Sequence, residues 1–335
     1  MRRSRSVLSP WSKLIGKGLQ QGVRQTSRVA AQAIQQVAER RRAPPGEGDW
    51  LPGLATCAAG MRRFHLYRPP GLRAGEKLPL LVMLHGCGQD ARGFAKLTRM
   101  NRLAARERFM VLYPEQDRLS NGHGCWHWFD TRTGRAFREA AIILAAIDQV
   151  CLLNRADRSR VALAGLSAGA SMAALLAIHH PERFRAVVMH SGLPPGAADT
   201  RVAALEAMQG QSNAMRRVAE AAPREPVTWP PLLVIHGGRD AIVARDNATA
   251  AAALWAQAAG ARAGVARTVQ RGQRYPMAVT DHRARGRLVA REIAIEHLGH
   301  AWSGGTAREP FADALGPDAS RLAWRFVAQC LEAGP

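Results

Sequence analysis

Lysine is nearly missing from this chain. Four of its 47 basic residues are Lys (Lys13, Lys17, Lys77, Lys96), and the rest are Arg. No apolar run approaches the roughly 18–20 residues of a membrane span, which excludes an integral membrane protein built on such helices. No segment repeats with a period of about 20–50 residues, which excludes a solenoid or propeller. Five Cys, none in a CxxC pair, provide neither a structural zinc site nor a disulfide scaffold in a chain of 335 residues. The N-terminus opens on Arg2, Arg3 and Arg5, but Ser9, Pro10, Ser12 and Lys13 break the apolar run that a secretory signal needs.

What is present describes a globular protein. Hydrophobic residues make up 47% and charged residues 22%, enough to bury a large core in one or two domains. The formal charge is +21, yet the Arg residues are scattered. Unclustered charge does not read as a groove for nucleic acid, and no nucleic-acid partner is expected. The exception is residues 1–45, where ten basic residues face one acidic residue, Glu39. Apolar residues from Trp11 to Val37 recur there at helical spacing, and Pro44-Pro45-Gly46 closes the segment. The arm reads either as a basic amphipathic helix making weak contact with an anionic surface or as a leader packed on its own domain. Residues 46–335 form the expected catalytic domain.

From about residue 60, strands and helices alternate. Met61–Tyr67 reads as a first strand; Leu78–Leu84, Phe109–Tyr113, Arg160–Leu166, Ala186–Met189, Leu232–Ile235 and Val289–Ile295 follow. Helices are expected over Glu139–Leu153, about Ala168–Ile178, Ala241–Ala259 and Ala319–Leu331. Continuous apolar strands such as LPLLVML belong in a sheet covered on both faces. The fold class is therefore α/β, with a mostly parallel central sheet and helices on both faces. Residues 197–230 interrupt the pattern and read as a cap.

Gly165-Leu166-Ser167-Ala168-Gly169 follows a strand and opens a helix, the setting of a nucleophile elbow. Ser167 is the expected nucleophile. His300, in a loop after the last strand, is the expected base, with His297 as competitor. His179 and His180 sit at a helix end. Asp240, just past the strand LLVI, is the expected acid, and Asp246 is the weaker candidate. The order Ser167, Asp240, His300 is the chain order of α/β-hydrolases. His85-Gly86-Cys87-Gly88-Gln89 follows another strand, so the amides of Cys87 and Ala168 are the expected oxyanion hole. His85 is expected to be structural. This chemistry needs no metal or cofactor. An acyltransferase using the same triad and a basic binding protein on an inactive hydrolase fold are the alternatives.

Seven motifs, HGCGQ, LYPEQ, NGHGCWHWF, GLSAGASM, HSGLP, HGGRD and GHAWSGG, together resemble the poly(3-hydroxybutyrate) depolymerase family of esterases over about residues 60–330. The resemblance implies an α/β-hydrolase fold, carboxylic ester substrates, small or oligomeric, and Ser167, Asp240 and His300 as a triad. Feruloyl- and acetyl-xylan-esterase-like members belong to the same family. His127 departs from the pattern, which has Asn there. The polymer-degrading members carry a linker and a polymer-binding domain, neither of which is visible here. Gln89, Trp126, Trp128 and Trp302, within these motifs, are the substrate-pocket candidates. The resemblance places the Trp126–Phe129 loop near the active site, so Cys87 and Cys125 are a candidate disulfide pinning the oxyanion loop. It also implies an extracellular location, whereas the absent signal peptide points to the cytoplasm.

Overall fold

The computed structural model describes residues 44–333. The basic arm expected over residues 1–45 lies outside them, except for Pro44 and Pro45. An 11-stranded sheet runs through the described residues. Its strands are β1 (Asp49–Cys57), β2 (Gly60–Arg68), β3 (Leu78–Leu84), β4 (Met110–Pro114), β5 (Ala156–Leu166), β6 (Val187–His190), β7 (Leu232–Gly237), β8 (Arg262–Ala263), β9 (Arg267–Val269), β10 (Met277–Ala284) and β11 (Arg287–Ile295). The order is β1-β2-β4-β3-β5-β6-β7-β11-β10-β8, with β9 also on β10. From β4 to β11 every pairing is parallel; β1, β2, β8, β9 and β10 pair antiparallel at the two ends. Two short strands, β12 (Trp302–Ser303) and β13 (Ala312–Asp313), pair separately.

The helices are α1 (Ala91–Thr98), α2 (Met100–Glu107), α3 (Arg135–Leu153), α4 (Ala168–His179), α5 (Arg201–Met208), α6 (Ser212–Glu220), α7 (Asp246–Ala258) and α8 (Ala319–Glu332). Alternation within each strand divides the core in two. Leu80, Val82 and Leu84 of β3 and Val161 and Leu163 of β5 face α3, α4 and α7. Leu81 and Met83, with Ala162, Ala164 and Leu166, face α1, α2 and α8. Both faces of the central strands are thus buried, which is why β3 and the Val161–Leu166 half of β5 are apolar throughout. Parallel strands bring their carboxyl ends to one edge, and the loops after β3, β5, β7 and β11 meet there.

Four strands at the two ends of the sheet, β1, β8, β9 and β10, were not expected. The first described strand is β1, preceding the strand read at Met61–Tyr67, which is β2. β1 carries Pro52 and Gly53 and is mostly exposed or half-buried, so it lacks an apolar signature. Gly53 is required there because a Cβ would lie 2.1 Å from the Phe64 ring. At the other end β10 interleaves Asp281, His282 and Arg283 with buried residues. The excursion at residues 197–230 holds α5 and α6. No helix among the described residues is long and apolar enough to cross a membrane.

Candidate active site

Ser167 joins β5 to α4 with φ 54° and ψ −123°, a left-handed conformation that a side chain adopts only when its surroundings impose it. The surroundings are tight. A Cβ on Gly165 would lie 2.4 Å from the Gly169 backbone, and one on Gly169 would lie 2.1 Å from the Leu84 carbonyl oxygen. Both positions therefore admit only glycine, and the turn presses against β3. The Ser167 amide donates to the His190 carbonyl at 2.8 Å, tying the turn to β6.

Asp240 and His300 enter from the loops after β7 and β11. His300 Nδ1 donates to Asp240 Oδ2 at 2.8 Å. That bond leaves the lone pair on Nε2, the form a general base needs. Asp240 Oδ1 accepts from the amides of Ile242 (2.9 Å) and Val243 (2.8 Å). Its side chain is fully buried. Burial alone pushes the carboxyl up; hydrogen bonds from His236, His300 and the Val243 amide outweigh it and hold Asp240 well below the usual carboxylate range. The Ser167 hydroxyl and His300 Nε2 do not hydrogen-bond to each other or to any other described side chain, and contacts of this kind tighten with substrate.

Two further histidines support the site. His236 Nε2 lies 2.9 Å from the Val243 carbonyl and 3.4 Å from Asp240 Oδ2. Both neighbours accept, so Nε2 carries the proton, and the buried Nδ1 has no partner among the described residues. His190 accepts from the Ser303 amide at Nε2 (3.2 Å), and its ring stacks on Trp302 with centroids 5.0 Å apart. Burial pushes His190 down to about 3, with His236 and His300 adding to the effect and Asp240 opposing it. Sequence reasoning missed both residues. HSGLP and HGGRD contain them, but only the fold shows what their rings touch.

The Gly86–Gln89 loop lies against the elbow. His85 Nδ1 donates to the Gly86 carbonyl (2.9 Å), and its Nε2 accepts from the Gln116 amide (3.1 Å). Its role is structural. Cys87 and Cys125 form a disulfide with Cα atoms 4.3 Å apart. The Gly88 amide donates to His123 (2.7 Å) and Trp126 Nε1 to the His85 carbonyl (3.0 Å), so three links join this loop to residues 123–126. Ala168, first in α4, has no intrahelical acceptor for its amide, and the Cys87 amide has no acceptor among the described residues.

Of the four pocket candidates, two are corrected by their burial. Gln89 turns back to accept from the Gly86 amide at 2.9 Å. Trp126 and Trp302 are each 1% exposed, and Trp302 Nε1 donates to Ser320. These two tryptophans brace the loops. Trp128 lines a cavity beside α4. His297 packs edge-on against Tyr275 and meets no carboxylate, and Asp246 begins α7 without a histidine partner. His127, where the resemblance has Asn, donates from Nδ1 to Glu139 Oε1 at 2.7 Å. No cluster of three or more metal-ligating side chains occurs among the described residues.

A parallel sheet, a serine on a strained strand–helix turn and a His–Asp pair at the same sheet edge define an α/β-hydrolase. A family model described as Esterase PHB depolymerase matches residues 62–272, more than half of the chain, and the chain belongs to that family. Among curated relatives, poly(3-hydroxyalkanoate) depolymerase C of Paucimonas lemoignei is 33% identical over 141 residues, covering 42% of this chain and 33% of that protein. Feruloyl esterase B of Neurospora crassa is 32% identical over 133 residues, covering 39% and 44%. The matched stretch thus spans less than half of these relatives' own length. An acetyl xylan esterase from Aspergillus awamori shares the fold, with a TM-score of 0.57 at 19% identity over 71% of this chain and 89% of that one.

Proposed function

We propose that the protein is a serine esterase that hydrolyses carboxylic esters through an acyl-enzyme on Ser167. The observation that carries this reading is the His300–Asp240 hydrogen bond at the sheet edge where the Ser167 elbow also ends. His300 Nε2 takes the Ser167 hydroxyl proton as the oxygen attacks the ester carbonyl. Asp240 fixes the imidazole tautomer and stabilises the imidazolium. The amides of Cys87 and Ala168 receive the oxyanion, helped by the N-terminal end of α4. The tetrahedral intermediate collapses, and His300 gives its proton to the departing alcohol. Water, deprotonated by His300, then cleaves the acyl-enzyme. Membership of the esterase family and the names of the relatives support the same reaction class.

Hydrolysis of p-nitrophenyl acetate tests the reading. Ser167→Ala is expected to lower turnover by about 10⁴-fold or more while circular dichroism stays unchanged. Near-normal turnover in the folded variant contradicts it.

A further inference from the structure

A cavity of about 350 Å³ runs beside α4. Its walls are mostly apolar, from Trp128, Phe137, Leu175, Ile178, Trp229 and Leu254. Ser171, Leu175, Ile178 and His179 follow helical spacing along one face of α4, so the cavity follows the helix axis. It begins one turn beyond the nucleophile: Ser171 lies four residues, or about 6 Å of helix, past Ser167. His179 lies about 12 Å further on. Asp199, half exposed and 3.6 Å from Arg132, marks an end open to solvent.

Two of its lining residues sit on segments that pack beside the reacting centre. Trp128 stands three residues after Cys125, whose disulfide holds the oxyanion loop. Pro195 follows the segment in which the Leu193 amide donates to Ser171 Oγ at 2.8 Å and Gly192 passes too close to Ala170 for a Cβ. The sheet then decides which half of an ester faces the cavity. Leu175, Leu254 and Trp128 belong to the core on one face, whereas Leu298 and Trp302, on either side of His300 in the chain, belong to the core on the other. The departing alcohol oxygen must lie by His300 Nε2 to be protonated. The substituent on the far side of the carbonyl carbon is the acyl group.

We propose that this cavity is the acyl subsite of the enzyme, built for an elongated apolar acyl chain. The proposal rests on Ser167 being the nucleophile. With C–C bonds of about 1.5 Å, an acyl chain of about six carbons reaches the level of Ser171, and longer chains enter the cavity. An acetyl group stops short of it. Each methylene that becomes buried there raises kcat/KM by up to about fourfold.

The test is the acyl-length profile on p-nitrophenyl esters from acetate to decanoate, which share one leaving group. The wild type is expected to show a rise in kcat/KM beginning near hexanoate. Ile178→Trp, which fills the cavity, is expected to keep acetate turnover within about twofold and to lower decanoate turnover tenfold or more. Thr131→Trp, on the loop that also lines the cavity, gives the same contrast should Ile178→Trp lose its fold. An unchanged length profile in a folded filled variant overturns the subsite. So does a wild-type profile that falls steadily beyond acetate. Acetate turnover that survives Ser167→Ala instead overturns the proposed nucleophile, which separates the two failures.

Discussion

Two histidines in this protein donate from Nδ1 to a buried carboxylate at nearly the same distance: His300 to Asp240 at 2.8 Å and His127 to Glu139 at 2.7 Å. What differs is everything around the pair. His127 Nε2 accepts from the Asn121 side-chain amide at 3.2 Å, and Glu139 also accepts from the His127 backbone (2.8 Å) and from Gln116 Nε2 (2.7 Å). Both ring nitrogens of His127 are engaged, and the pair clamps a loop onto α3. His300 keeps Nε2 open at the sheet edge, while its carboxylate is held by two amides and lies beside a second imidazole, that of His236. A short His–carboxylate bond therefore does not make a catalytic pair. A general base also needs an uncommitted ring nitrogen, as His300 Nε2 is.

Exchange of each histidine breaks or sharpens this contrast most. His300→Gln is expected to lower kcat on p-nitrophenyl acetate by about 10⁴-fold or more with little change in the urea midpoint. His127→Gln is expected to change kcat by less than tenfold and to lower stability. The reverse pattern assigns the base to the wrong pair. Next in size are the carboxylates. Asp240→Asn favours the wrong imidazole tautomer and is expected to cost on the order of 10³–10⁴ in kcat. Glu139→Gln is expected to leave kcat within a few-fold while reducing unfolding free energy by about 2 kcal/mol, because it weakens hydrogen bonds to a buried acceptor.

The disulfide joins the two regions. It closes a loop of sequence separation 38, and its reduction is expected to cost about 4 kcal/mol in the chain-entropy model, read as a lower urea midpoint. The pH dependence of stability gives a smaller effect. His190 is held down to about 3 by burial, whereas the unfolded chain protonates it near 6.5. Between those values the unfolded state binds the additional proton, so this residue's contribution to stability falls as pH drops, by up to about 1.4 kcal/mol per pH unit. Urea midpoints at pH 7, 5 and 4 are expected to decline less steeply in His190→Gln than in the wild type. Deleting residues 1–43 is expected to have the smallest effect, leaving soluble-ester kinetics within about twofold, because every proposed catalytic group lies among residues 87–300.

The legible parts of the fold were those where one local rule decides the outcome. The apolar run Leu78–Leu84 is a strand with those same bounds because burial on both faces demands apolar residues at each position. The elbow was legible because its strained turn demands small neighbours at 165 and 169. Edge strand β1 and its counterpart near the other end, β10, were not, because β1 is mostly exposed or half-buried and carries Pro and Gly, and β10 carries Asp281, His282 and Arg283. Trp126 and Trp302 lie in motifs around the site and read as pocket walls, yet burial makes them braces. His236 was invisible because its acceptors meet it only when the loop after β7 folds back to place the Val243 carbonyl and the Asp240 carboxylate at one nitrogen. The His127–Glu139 clamp was hidden for the same reason, since it joins a loop to a helix twelve residues on.

The central claim, that Ser167 is activated by His300 rather than by any other histidine, is tested most directly by stoichiometric labelling with a p-nitrophenyl alkylphosphonate followed by peptide mass spectrometry. Such a reagent phosphonylates a serine whose hydroxyl is deprotonated by a neighbouring base, releasing p-nitrophenol. One adduct per chain is expected, on Ser167, formed at the wild-type rate in His127→Gln and at least a thousandfold more slowly in His300→Gln. An adduct on another residue, or labelling of Ser167 that is as fast in His300→Gln as in the wild type, contradicts it.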